Sequence, residues 1–228
     1  MSIAFDASTR GSTTSGTLSF SHTCTGSDRI IFFCIFNQNN SGLTTIRYNG
    51  VDATLVNTVS QESGTRVLSI YRLLAPATGS NTVEIVRSSA TGTLACRVLS
   101  YNTVSQTGFP DASRNDVTAS GTPTVSGSLT TVADNAFVLA FYRNGTAGYS
   151  STTISGGTDR GTVFEAPGYT DSAPAVVEFG PRTPAGSTTI TIATAGAVNA
   201  THIGLMVSFA PAAAAPTGNR NTGFFMFG

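Results

Sequence analysis

Apolar and polar residues alternate along this chain in runs too short for helices. Leu18 and Phe20 alternate with Ser between Gly16 and His22, which gives a strand with one buried face. Ile30 to Phe36 is an almost unbroken apolar run, the pattern of a central strand buried on both sides. Thr188–Thr194 alternates Thr with Ile190 and Ile192, a half-exposed strand. The pattern predicts a first set of strands at Gly16–His22, Arg29–Asn37, Thr44–Tyr48, Ala53–Val59, Arg66–Leu73, Asn81–Arg87 and Thr93–Tyr101. A second set follows at Thr122–Thr131, Asn135–Arg143, Gly161–Glu165, Ala175–Phe179, Thr188–Thr194 and Thr201–Phe209. Asn49-Gly50 and Asn144-Gly145 are turn signals, because both residues tolerate positive φ. No ten-residue window carries the i, i+3, i+4, i+7 apolar series of a helix.

Many short strands without crossover helices imply antiparallel pairing. The expected fold is all-β: a two-sheet antiparallel β-sandwich, jelly-roll-like, with an extended C-terminal arm. Residues 1–210 are expected to form one sandwich domain. Residues 211–228 begin with Pro211 and four Ala before Pro216, an extended linker, and end in Phe224, Phe225, Met226 and Phe227. Large apolar residues on an arm are costly to leave in water, so these four are candidate partner-binding residues. Asn57-Thr-Val-Ser-Gln61 recurs as Asn102-Thr-Val-Ser-Gln106, but the flanks do not match and no repeat is inferred.

Composition narrows the function classes. Of 228 residues, 36 are Thr and 26 are Ser, which suits strands and turns rather than helices. Lys+Arg and Asp+Glu are both 12, and only 11% of residues are charged, which argues against a nucleic-acid partner. Every basic residue is Arg, which reads first as codon or genome bias; the alternative is that Arg47, Arg72, Arg87 and Arg97, which fall within strand patterns, use forked hydrogen bonds and aromatic stacking for contacts between elements. The three Cys, at 24, 34 and 96, sit in or near apolar strands and read as small buried hydrophobes. No apolar stretch approaches 18 residues, so no membrane span is expected, and Met1-Ser-Ile-Ala-Phe-Asp6 lacks the regions of a Sec-type signal peptide.

Six stretches in order resemble β-sandwich modules of bacterial extracellular proteins and of phage virion and tail proteins. They are Leu18-Ser-Phe-Ser-His-Thr23, Arg29-Ile-Ile-Phe-Phe-Cys-Ile35, Tyr48-Asn-Gly-Val-Asp-Ala-Thr54, Ser69 to Pro76, Ser100 to Gln106 with Pro110-Asp-Ala112, and His202 to Pro211. The resemblance spans roughly residues 16–211. It implies a jelly-roll-like sandwich used as a structural or adhesive module, and it brings no catalytic site. This sequence begins at its own Met and stands alone, which favours the phage setting over the secreted one.

Candidate chemistry is sparse. His22 shares a face with Leu18 and Phe20 and reads as a hydrogen-bonded core residue, as does His202. No Gly-x-Ser-x-Gly elbow occurs. Asp111 and Asp116 lack the closely spaced oxygen ligands of a calcium loop, and Asp111 after Pro110 reads as a turn former. Gly156 to Gly161 lacks the Lys-Ser/Thr of a phosphate loop and reads as a hairpin. The sequons at Asn39, Asn144 and Asn199 read as turn sequence. No catalytic residue, cofactor or metal is expected. The leading expectation is a non-enzymatic structural protein of a tailed-phage virion: capsid decoration or cement, or a tail, collar or fibre component. Its expected partners are other virion proteins and further copies of itself, a trimer being favoured. The alternative is a carbohydrate-binding or adhesion module for a cell-surface glycan, with Tyr142, Tyr149 and Tyr169 as the sugar contacts.

Overall fold

The computed structural model describes residues 1–61, 64–118, 124–144, 151–154, 156–162, 174–195 and 202–213. The first half builds nine strands: β1 (Ala4–Thr13), β2 (Thr17–Cys24), β3 (Ile30–Gln38), β4 (Leu43–Tyr48), β5 (Val51–Asp52), β6 (Thr54–Ser60), β7 (Arg66–Leu74), β8 (Gly79–Arg87) and β9 (Leu94–Asn102). The second half builds eight: β10 (Ala112–Thr118), β11 (Thr124–Thr130), β12 (Ala136–Asn144), β13 (Ser151–Ile154), β14 (Thr158–Thr162), β15 (Ala175–Arg182), β16 (Ser187–Ala195) and β17 (His202–Phe209).

All pairing among these strands is antiparallel. The first half forms an inner sheet, β1-β9-β3-β7-β6, and an outer sheet, β2-β8-β4-β5. The second half repeats this wiring as β10-β17-β12-β15-β14 and β11-β16-β13. Each pair of sheets is a jelly roll. The all-β antiparallel sandwich expected from the sequence is present, and it is present twice.

The two copies agree in register as well as order. β6 and β14 each carry a bulge at the same step of the ladder, between Leu55 and Asn57 and between Asp159 and Gly161. Ser100 pairs with Ala7 and Ile31, and Ser208 pairs with Ala112 and Val138, so these two serines are equivalent.

Three apolar cores stack in line. The first lies between the first outer and inner sheets (Leu18, Ile31, Phe33, Ile35, Val83, Ile85), and the third between the second inner and outer sheets (Leu129, Val138, Ala140, Val177, Phe179, Ile190). The middle core joins the two inner sheets through Phe32, Leu68, Ile70, Tyr101, Phe137, Leu139 and Phe209, among others. This four-layer stack explains the apolar runs. Ile30, Phe32, Cys34 and Phe36 of β3 point to the middle core, and Ile31, Phe33 and Ile35 to the first outer core. Phe137, Leu139 and Phe141 of β12 face the middle core, and Val138, Ala140 and Tyr142 the second outer core.

Twelve of the thirteen predicted strands have counterparts within a few residues at their ends, and the thirteenth, Gly161–Glu165, overlaps β14 at Gly161 and Thr162 and otherwise lies outside the described residues. The sequence missed β1, β5, β10 and β13. β1 and β10 are edge strands whose residues (Asp6-Ala-Ser-Thr-Arg10 and Asp111-Ala-Ser-Arg-Asn-Asp116) carry little apolar alternation. The hairpin expected at Gly156–Gly161 is corrected. β13 pairs with β16 in the outer sheet and β14 with β15 in the inner one, so this segment carries the chain from one sheet to the other. Gly157 fits the crossing because a Cβ there would lie 2.4 Å from Val177 Cγ1. Asn49 and Gly50 do form the expected tight turn between β4 and β5, both at positive φ.

Candidate functional site

Local chemistry pins each jelly roll in the same way. Asp6 accepts hydrogen bonds from the Thr25 backbone N–H at 2.8 Å, from the Thr25 hydroxyl, and from Ser100 Oγ at 2.8 Å. Asp111 accepts from the N–H groups of Val132 at 2.7 Å and Ala133 at 3.0 Å and from Ser208 Oγ at 3.0 Å. Each carboxylate thus ties the edge strand to the loop leaving the second strand and to the last strand. Desolvation pushes the Asp6 carboxyl up, but the Thr25 and Ser100 hydrogen bonds and the nearby His22 outweigh it and leave it below the usual value.

His22 is 1% exposed, on the inner side of β2 with Leu18 and Cys24. Thr9 Oγ1 lies 2.7 Å from its Nδ1, and its buried Nε2 has no hydrogen-bond partner. Burial lowers its pKa to about 4 against the pull of Asp6, so the ring is neutral at pH 7. Cys24, Cys34 and Cys96 are free and buried, and desolvation raises all three thiols. Tyr48 is pushed up to about 12, chiefly by burial. Burial thus keeps all three thiols from the thiolate form that acts as a nucleophile.

The arginines do what their planar forks allow. Arg87 is buried, donating to the carbonyls of Ser15, Thr14 and Gly92 at 2.6–3.3 Å and to Asn37 Oδ1, which closes one end of the first jelly roll. Arg72 stacks on the Phe109 ring at 4.5 Å. Arg97 donates to Ser8 Oγ at 2.7 Å, and its guanidinium passes over Gly161 of the second half, where a Cβ would lie 2.7 Å from it. Arg47 forms an exposed ion pair with Asp52.

The densest polar cluster bridges the two inner sheets. Arg160 forks onto Glu178 with two contacts of 2.9 Å, Tyr101 donates to Glu178 Oε2 at 2.5 Å, and the Arg160 guanidinium lies 3.6 Å from the Phe5 ring centre. Glu178 is 5% exposed, so the pair is shielded from water. Sequence reasoning named Arg97 and Arg72 but neither Arg160 nor Glu178, which lie far from Tyr101 and Phe5 along the chain and look like ordinary strand charges.

A second junction lies where the halves join. Thr103 N–H donates to Ser27 O and Val104 N–H to Asp28 O, while Gln106 donates to Arg29 O and accepts from Ala75 N–H. The segment after β17 returns to this linker: Val104 bridges Pro211, Ser105 N–H donates to Ala210 O, and Ala212 N–H donates to Thr103 O. Residues 210–212 are therefore fixed to the body of the protein.

The outer faces are lined with hydroxyls. Thr17, Ser19, Ser21 and Thr23 of β2 are exposed, and β11 continues the pattern with the exposed Ser126 and Thr130 and the half-buried Ser128. On the second outer sheet Ser126 Oγ meets Thr191 Oγ1 at 3.0 Å and Ser128 Oγ meets Thr189 Oγ1 at 2.8 Å.

Of the residues singled out from sequence, Tyr142 is 8% exposed with its ring in the second outer core. A buried ring offers no face to a sugar, so Tyr142 is withdrawn as a contact. Tyr149, Tyr169, Phe224, Phe225, Met226 and Phe227 lie outside the described residues, as does the His202 side chain. Among the described residues, no three His, Cys, Asp or Glu side chains gather where they could hold a metal ion, and no helix is long and apolar enough to cross a membrane. Compared with family models, curated proteins and solved structures, the chain matches none of them.

Proposed function

We propose that the protein is a non-enzymatic structural component of a tailed-phage virion, working through protein–protein assembly with other virion proteins and with copies of itself. The observation that carries this reading is the pinned junction at Ala210–Ala212. It anchors the segment that follows, in which the sequence places Phe224, Phe225, Met226 and Phe227. Burying each such side chain on a neighbour contributes about 1.5–3 kcal/mol, enough together to hold a subunit after the ordering cost is met. Two further features support it. Among the described residues Asp6, Asp111, Arg87 and Glu178 are used in tying strands and loops together, and jelly rolls recur in capsid and lectin domains. A trimer remains the favoured assembly, and the virion the proposed location.

Deleting residues 214–228 keeps every hydrogen bond of the junction. The expected result is an unchanged melting temperature with loss of self-association or particle attachment, read by light scattering and pull-down. A truncated protein that unfolds, or one that assembles as before, refutes this use of the arm.

The hydroxyl-lined outer faces favour a second reading as a carbohydrate-binding module, since rows of Ser and Thr on a sheet suit the hydroxyls of a glycan. Saturable binding on a glycan array, lost in a Ser126→Val/Thr191→Val double variant, would decide for it.

A further inference from the structure

The contact between the two jelly rolls has the form of a dimer interface. β6 lies against β10 and β7 against β17. At the opposite flank Phe5 of β1 meets Arg160 of β14, and Tyr101 of β9 meets Glu178 of β15. Under the strand equivalence, β1 corresponds to β10, β6 to β14, β7 to β15 and β9 to β17. Exchanging the two halves turns the pair β1/β14 into β10/β6 and the pair β9/β15 into β17/β7. The backbones approach more closely on the β6–β10 flank than on the β1–β14 flank, so the two-fold is approximate; an interface whose strand pairs map onto each other when the partners are exchanged is isologous in form.

Equivalent residues also meet each other, as residues beside a two-fold axis must. Counting from the matched serines, Tyr101 corresponds to Phe209, and their ring centroids are 5.0 Å apart. Phe36 corresponds to Arg143, and the guanidinium lies 5.4 Å from that ring centre. Thr103 and Val104 correspond to Pro211 and Ala212, and these segments pair antiparallel across the same axis. Three separate places along the interface therefore obey one symmetry.

The symmetry is broken in side chains that carry charge. Register places Glu178 at the position of Arg72, and Arg160 at the bulge position of Val56. Two copies of the first jelly roll would put Tyr101 against Arg72 with no carboxylate. Two copies of the second would put Arg143 against Arg143 and Glu178 against Phe209. Only the unlike pair gives the Tyr101–Glu178–Arg160 cluster and sets Arg143 on Phe36.

We infer that the inner face of each jelly roll is a dimer-type association surface whose partner is the chain's other jelly roll, the unlike pairing being set by Arg143, Arg160 and Glu178. The chain is a tethered dimer, and the linker is not what holds its halves together.

The test uses the full chain with a protease site inserted between the exposed Thr107 and Gly108. The folded protein is cut and then examined by size exclusion and native mass spectrometry. The halves are expected to stay together as a 1:1 pair at micromolar concentration. With Glu178→Ala the uncut protein is expected to stay folded, while the cut halves associate about tenfold or more weakly, because the removal leaves the half-buried Arg160 without its carboxylate and Tyr101 without its acceptor. Halves that separate on cutting the unmodified sequence overturn the inference. Halves that re-sort into like pairs overturn the specificity. Co-expression of residues 1–107 and 108–228 as two chains asks the same question without the insert: purification as one pair supports the inference, and recovery of unpaired halves overturns it.

Discussion

His22 and Arg87 show how single side chains set the conditions under which the first jelly roll holds. The unfolded His22 titrates at about 6.5, whereas burial brings it to about 4 in the folded chain. Between those values the unfolded state binds the extra proton, so stability is full above pH 6.5, falls as the pH drops, and levels off below 4. The loss amounts to about 3 kcal/mol by linkage. A His22→Gln variant, neutral throughout, is expected to flatten the dependence of denaturant midpoint on pH between 6.5 and 4; an unaltered slope would show that His22 is not its source. The Asp6 carboxyl, held below its ordinary value, adds stability that is present above pH 3.8 and is lost below it. Arg87 makes its bonds through the planar fork, so Arg87→Lys keeps the charge but leaves buried carbonyls unpaired. We expect it to cost about 2 kcal/mol in urea unfolding; a loss near zero would mean that charge alone suffices. The role of His22 was readable from its place on a strand pattern, whereas Arg87 was only one of four strand arginines that codon bias explains equally simply, because its partners Thr14, Ser15 and Gly92 are loop carbonyls brought together by the fold. Asp111 was readable only as a turn former, because its partners Val132, Ala133 and Ser208 come together in the fold and not along the chain.

At the scale of elements, strands with a buried side were legible and edge strands were not. β2, β3, β7 and β9 announce themselves because burial demands apolar residues at fixed spacing. β1 and β10 lie at sheet edges, where polar residues discourage pairing with another chain as much as they build a ladder. Missing both hid the duplication, since Asp6-Ala-Ser8 and Asp111-Ala-Ser113 open the two copies and are the plainest sequence match between them. Loop lengths differ between the halves, so no fixed period survives to be detected. The crossing at Gly157 was misread because its glycines suit a hairpin equally well; what decides is the close approach of Val177 and Phe179, which only the fold shows. Gly157→Ala forces that packing apart and is expected to cost about 1–3 kcal/mol, measured as a lowered urea midpoint. A neutral substitution would show that the crossing can shift to admit a methyl group.

The whole molecule is held by the middle core, to which both halves contribute and which the unbroken apolar runs of β3 and β12 foreshadow. A lone two-sheet sandwich needs one buried face per strand. A strand apolar on both faces needs a layer on each side, and here the second jelly roll supplies it. If that core couples the halves, the stack unfolds as one unit. Phe209 is its test residue: fully buried, it has ring centroids of Phe32 and Tyr101 at 5.0 Å and of Phe137 at 5.9 Å. Phe209→Ala removes contacts to both halves at once and is expected to cost about 3–5 kcal/mol. At this chain length that lowers the melting temperature by roughly 6–20 °C. The telling readout is hydrogen exchange: amides of β3 and of β12 should lose protection together and by the same factor, although Phe209 belongs to the second half. Ile190→Ala, in the second outer core, leaves the middle core intact and should weaken β11 and β16 before β3. Should Phe209→Ala instead expose β12 while β3 stays protected, the halves fold independently and the middle core is a docking contact only.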